Sequence, residues 1–154
     1  MSFHLPVLGE RVVASLLPTP SGPIVDGTLG GGGHSAMLLS ALSSKHRVVG
    51  IDRDPEALSF STARISDERF VALRGTFGEM KQVLERAGEE TEQALSGILV
   101  DLGVSSFQLD TPRRGFAFKH PDAPLDMRMD PTVGTSARER IEEADVQTLS
   151  LIHI

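Results

Sequence analysis

The chain has no cysteine among its 154 residues. That excludes disulfides, thiolate metal sites and a cysteine nucleophile within it. Long hydrophobic runs are missing as well: no stretch of about 18 apolar residues marks a transmembrane helix. The opening residues, MSFHLPVLGERVV, lack a basic segment followed by an apolar one, so no signal peptide is expected. There is no excess of positive charge either, since 15 Lys and Arg stand against 21 Asp and Glu, a formal net charge of -6. Clustered basic residues are the usual mark of a nucleic-acid surface. Here Arg113, Arg114, Lys119 and Arg128 are interleaved with Asp110, Asp122, Asp126 and Asp130. Electrostatics alone therefore gives no reason to expect RNA, and the expected compartment is the cytoplasm, with no membrane partner.

What is present is the composition of an ordinary globular chain, 40% hydrophobic and 23% charged. From Pro23 to Leu102 short apolar runs alternate with helical spacing. Pro23–Asp26, Arg47–Asp52, Phe70–Arg74 and Gly97–Gly103 read as strands. Between them, Met37, Leu38, Ala41 and Leu42 share a helical face within 35–44. Asp54-Pro55 is a good helix start, and Met80, Val83, Leu84 and Ala87 are spaced helically within 77–87. Apolar strands separated by helices predict a parallel sheet covered on both faces, a Rossmann-like α/β fold.

After Gly103 the texture changes. Residues 104–134 contain Pro112, Pro121, Pro124 and Pro131 and have no sustained period. A stretch of that length without regular structure is usually functional or disordered. Ser136-Ala137-Arg138-Glu139 then fits a capping box opening a new helix. An open doubly wound sheet usually has more strands than four, and the last residues, 149–154, are apolar without a helix stop. The chain is therefore expected to be truncated or to end in non-native residues.

The segment Asp26-Gly27-Thr28-Leu29-Gly30-Gly31-Gly32-Gly33-His34-Ser35 carries the first chemical signal. Glycines at a strand-to-helix turn allow close approach of a ligand, and the helix that follows offers amide groups and partial positive charge to an anion. Two readings compete. Gly31-x-Gly33-x-x-Ala36, with Asp52 ending the next strand, satisfies a dinucleotide fingerprint and so admits a NAD-dependent oxidoreductase. Alternatively, Asp26, Asp52 and Asp101, each ending a strand, suit a methyl-donor site for S-adenosyl-L-methionine, though each acid could also cap a helix. Asp101 favours the methyl donor, because a dehydrogenase has no special need for a carboxylate at that place.

Six motifs go further: H-x-P-V-L at His4–Leu8, D-G-T-x-G-x-G-G-H-S at Asp26–Ser35, I-D-R-D-P at Ile51–Pro55, D-L-G-V-S-S-x-Q-L-D at Asp101–Asp110, R-G-F-x-F at Arg114–Phe118 and P-L-D-M-R-M-D-P at Pro124–Pro131. With them the sequence resembles the ribosomal RNA small-subunit methyltransferase H (MraW) family from about His4 to at least Glu143. The resemblance implies a Rossmann-like methyltransferase that uses S-adenosyl-L-methionine to methylate N4 of a cytidine in the decoding region of bacterial 16S rRNA, in an assembled or nearly assembled small subunit. It implies cofactor contacts at Gly32, Gly33, His34, Asp52, Phe77, Asp101 and Gln108. It also implies that residues 1–103 are the N-terminal part of the cofactor-binding domain, and that 104–154 are a motif-rich loop and the start of an inserted helical substrate-recognition domain. Asp101 is the candidate proton acceptor. Ser105, Ser106, Arg114 and Phe116 are candidate substrate contacts, with Phe118 a further stacking face. No covalent intermediate is needed for an amine acceptor, in line with the absence of cysteine.

Overall fold

A computed structural model of the chain describes residues 6–17, 22–88 and 95–150. His4, and the apolar end from Leu151 onward, lie outside the described residues. The chain divides into two compact units, Met1–Gly103 and Val104–Ile154.

The first unit is a four-stranded parallel sheet in the order β3-β2-β1-β4. Strands β1 (Pro23–Asp26), β2 (Arg47–Asp52) and β3 (Phe70–Arg74) fall where the sequence places them. β4 is shorter than expected and covers Gly97–Leu99, so Val100–Gly103 is a loop, not a strand. The reason lies in its neighbour. β1 pairs with β4 only from Ile24 to Asp26, and it turns away at Gly27, leaving residues beyond Leu99 without a rung.

Strand alternation divides the buried side chains into two cores. Ile24 and Val48 point to one face and pack with Leu38, Leu39 and Leu42, joined by Val13, Leu16 and Ile65. Val25, Val49 and Ile51 point to the other and pack with Val83 and Leu84, joined by Met80 and Leu73. The first face is covered by α1 (Gly9–Leu16), α2 (Gly33–Ala41) and α3 (Pro55–Arg64), and the second by α4 (Met80–Arg86). Only β1 and β2 are buried on both faces. β3 and β4 are half-exposed edges, while helices cover both faces of the sheet as expected.

Two helices depart from the sequence expectation. Within α2 the buried positions are Ser35, Leu38 and Leu39, with Leu42 just past its end, while Ala41 is exposed. α1 has no counterpart among the sequence-predicted elements; it is short, lacks a side-chain cap and is entered through Leu8 at a φ of 54°. The start of α3 is as expected: Asp54 accepts the Glu56 amide at 3.0 Å, and Pro55 occupies the first turn.

The second unit contains α5 (Ser106–Asp110), a 3₁₀ turn at Pro112–Arg114, α6 (Ala137–Glu143) and α7 (Val146–Ser150). The capping box at Ser136 and Glu139 is present in both directions. The segment between Gly115 and Thr135 has no regular element, yet backbone bonds tie it down. Met127 donates to the Arg114 carbonyl at 3.0 Å, Ala137 to that of Asp126 at 2.8 Å, and Arg138 to that of Leu125 at 2.8 Å.

Candidate functional site

In open α/β sheets ligands bind beyond the carboxyl ends of the strands, where neighbouring connections leave in opposite directions. That point here lies between β1 and β4. Connections from β1 to β3 run one way along the sheet, and the chain then returns past β1 to form β4. The glycine turn leaves β1 at this point and the Val100–Gly103 loop leaves β4 beside it.

The turn is held from within. Asp26 is buried; its Oδ1 accepts the Thr28 amide at 3.2 Å and its Oδ2 the Ser35 hydroxyl at 2.8 Å. Burial pushes this carboxyl above its ordinary value, opposed by those hydrogen bonds. Asp26 therefore knots the turn to the start of α2. Gly32 sits at a φ of 72°, and a Cβ there would lie 2.8 Å from Ile65 Cδ1 and 3.1 Å from Ser61 Cβ. The Arg64 guanidinium donates to the Gly31 carbonyl at 3.0 Å, fixing the turn against α3. Gly33 opens α2, packed closely against Pro6.

Asp52, at the end of β2, accepts the Gly30 amide on Oδ2 at 2.7 Å and the Asp54 amide on Oδ1 at 2.9 Å. Each carboxylate oxygen can accept a second bond. Burial raises this carboxyl as well, against the lowering effect of its backbone donors. Gly75, just beyond β3, donates to the Asp52 carbonyl at 3.0 Å, and Phe77 follows two residues later with 48% of its surface exposed. A Cβ on Gly27 would lie 3.1 Å from Phe77 Cβ, so Phe77 stands close against the β1 turn.

His34 and Asp101 meet at the same edge. The His34 Nε2 lies 3.0 Å from the Val7 carbonyl oxygen, and its Nδ1 lies 4.0 Å from Asp101 Oδ2. A carbonyl only accepts, so Nε2 carries the proton in that contact. The Asp101 side chain is 54% exposed. Its backbone amide donates to Thr28 Oγ1 at 2.7 Å, which ties it to the glycine turn. Gly32, Gly33, His34, Asp52, Phe77 and Asp101 thus lie along the carboxyl edge of one sheet.

The remaining candidates belong to the second unit. Ser105 and Gln108 form a capping box at the start of α5. Ser105 Oγ accepts the Gln108 amide at 3.2 Å, and Gln108 Oε1 accepts the Ser105 amide at 2.9 Å. The Ser-x-x-Gln spacing is the sequence signal for this role, as legible as the one at Ser136, and it was not read from the sequence. Ser106 is the first residue of α5. Arg114 corrects an expectation: it is buried, its Nη2 donates to the carbonyls of Arg128 and Met129 at 3.0 Å each, and its guanidinium lies 6.0 Å from the Phe116 ring centre. An irregular segment must satisfy its carbonyls where they are buried, and Arg114 does so from inside. The outward aromatic is Phe118, which is fully exposed. Among the cations, Lys119 pairs with Asp110 at 2.5 Å and Arg128 with Asp126 at 2.6 Å.

A parallel sheet in this order, with a glycine turn and acidic strand ends at its carboxyl edge, defines a Rossmann-like α/β protein of the cofactor-binding class. Known proteins narrow it further. The MraW methylase family profile matches residues 1–154, and the chain belongs to that family. Ribosomal RNA small subunit methyltransferase H of Trichlorobacter lovleyi is 44% identical over 151 residues, covering 97% of this chain and 47% of that protein. The same-named protein of Burkholderia ambifaria is 46% identical over 147 residues, covering 96% and 45%. Ribosomal RNA small subunit methyltransferase H 2 of Agathobacter rectalis is 45% identical over 138 residues, covering 88% and 43%. The chain spans a little under half the length of these curated relatives. Of the two cofactor readings, membership in a methylase family selects the methyl donor.

Proposed function

We propose that the protein containing this chain is an S-adenosyl-L-methionine-dependent methyltransferase acting on N4 of a cytidine in the decoding region of 16S rRNA, in the cytoplasm. The observation that carries this reading is the family match over residues 1–154, and the arrangement at the carboxyl edge of the sheet fits the donor. Gly32 and Gly33 provide a turn that tolerates no Cβ, Asp52 retains acceptor capacity for ribose hydroxyls, and Phe77 exposes a ring suited to a purine. When bound, the donor supplies an electrophilic methyl group on a sulfonium centre.

The chain's own residues supply the rest. The exocyclic amine of cytosine is a weak nucleophile, because its lone pair is delocalised into the ring. Asp101, exposed in the loop after β4 and tied to Thr28 through its amide, accepts an N–H proton as the amine loses electron density. Acid–base assistance of this kind is typically worth about 10²–10⁴-fold, and holding the partners in line supplies much of the remaining rate. The base leaves its stack to reach such an edge, which single-stranded or loop RNA makes easier. Phe118 is the exposed ring of the motif loop and offers a stacking face, while Gln108, Ser105 and Ser106 shape the loop that follows Asp101.

The test uses the full-length gene product with unmethylated small subunits and labelled S-adenosyl-L-methionine. Nucleoside mass spectrometry should find N4-methylcytidine, and Asp101→Asn should lower turnover at least 100-fold. Methylation of another base overturns the substrate assignment. Near-normal turnover by the variant overturns the role of Asp101.

A further inference from the structure

Asp101 is placed by very little. The last rung of β4 is Leu99, paired with Asp26, and Leu99 also accepts the Gly27 amide through its carbonyl at 2.9 Å. Beyond it the chain has left the sheet, and Val100, Asp101, Leu102 and Gly103 are all exposed. The bond from the Asp101 amide to Thr28 Oγ1, at 2.7 Å, bridges 73 positions of sequence and joins this loop to the glycine turn. Thr28 is itself anchored. Its amide donates to the buried Asp26 carboxyl, which is held in turn by the Ser35 hydroxyl on α2. Ser35, Asp26, Thr28 and Asp101 thus form one hydrogen-bonded line from the cofactor helix to the end of β4.

We infer that Thr28 is a positioning residue for the methyl transfer, acting through its hydroxyl to fix where Asp101 presents its carboxylate. Glycine at this place would leave the turn intact but provide no acceptor for the Asp101 amide. A hydroxyl two residues after Asp26 locks the carboxyl edge of β4 to that of β1, across the point where cofactor and substrate sides of the site meet. A carboxylate that must receive a proton in one geometry is sensitive to displacements of about 1 Å, which cost up to about 100-fold in rate. The inference rests on the role of Asp101 proposed above.

The test compares Thr28→Val, which keeps the shape and removes the acceptor, with Thr28→Ser, which keeps the acceptor, in the full-length gene product. Thr28→Val should lower kcat by about 10- to 100-fold and leave KM for S-adenosyl-L-methionine within about twofold. Thr28→Ser should restore kcat to within about threefold of the parent. Hydrogen–deuterium exchange of the peptide over 99–104 should quicken in the valine variant and not in the serine variant, because it reports the bond directly. Equal kcat for the serine and valine variants, or a valine variant at parental turnover, overturns the inference. So does unchanged exchange at 99–104. Failure of the underlying reading looks different: Asp101→Asn keeps its turnover while Thr28→Val still loosens 99–104.

Discussion

Replacing Gly32 with alanine tests whether the glycine turn is a rigid seat or a flexible link. Two costs are legible. The φ of 72° is in the left-handed region, where a residue with a Cβ is disfavoured by about 1–2 kcal/mol. The new Cβ would also meet Ile65 Cδ1 at 2.8 Å and Ser61 Cβ at 3.1 Å. The isoleucine tip can swing away, but the serine sits buried on α3 and its Cβ moves only with the helix, so crowding adds about 1–3 kcal/mol. The total is about 2–5 kcal/mol. Gly30→Ala is the control: its φ of 50° carries a similar backbone cost, but the nearest atom to its Cβ is the Thr28 carbonyl oxygen at 3.9 Å. Urea unfolding of both variants in the full-length gene product should place Gly32→Ala below Gly30→Ala by the crowding share, about 1–3 kcal/mol. Adding Ile65→Val, which removes the clashing methyl, should recover part of that share in Gly32→Ala, although alone it costs about 0.5–1.5 kcal/mol. Equal destabilisation by the two alanines refutes the steric account, and an Ile65→Val cost that simply adds assigns the crowding to Ser61 alone.

Asp26→Asn should flatten the pH dependence of stability. A buried carboxyl with its value raised stabilises the fold below the ordinary value of 3.8. That contribution is lost as pH rises through the folded value. Thermal unfolding from pH 3 to 8 should therefore show the parent losing ground to the asparagine variant as pH rises, and the opposite slope contradicts the desolvation assignment. Arg114→Met removes the donor to the Arg128 and Met129 carbonyls and should destabilise the second unit by about 2–4 kcal/mol. Accelerated exchange in residues 125–138 is the readout, and unchanged protection there contradicts the internal role of Arg114.

The legibility of the sequence followed the strength of the local physics. β1 and β2 were legible as short β-branched runs ending in Asp, and β3 as an apolar run stopped by Gly75. The end of β4 was not, because it depends on where a partner 73 residues earlier turns away, which no local pattern records. Asp54 and Ser136 announced their helices through side-chain chemistry, and the Ser105-x-x-Gln108 spacing carries the same signal. Arg114 looked like a surface cation because arginine usually is one. Its burial follows from a long irregular segment whose carbonyls need donors, a demand that appears only once the chain has folded back on itself.

The strand order also sets a schedule. β1, β2 and β3 follow one another in the sheet as they do in the chain, so their pairings close over short separations. β4 must return across two strands to reach β1. During synthesis the half carrying the glycine turn and Asp52 has all its strands by residue 74, before β4 and the loop that carries Asp101 have been made. A nascent chain thus completes the strands around the glycine turn and Asp52 before Asp101 is made. Ribosome-arrested chains of increasing length should gain protease protection over 23–74 while Gly97–Leu99 is still cleaved; simultaneous protection would contradict the schedule.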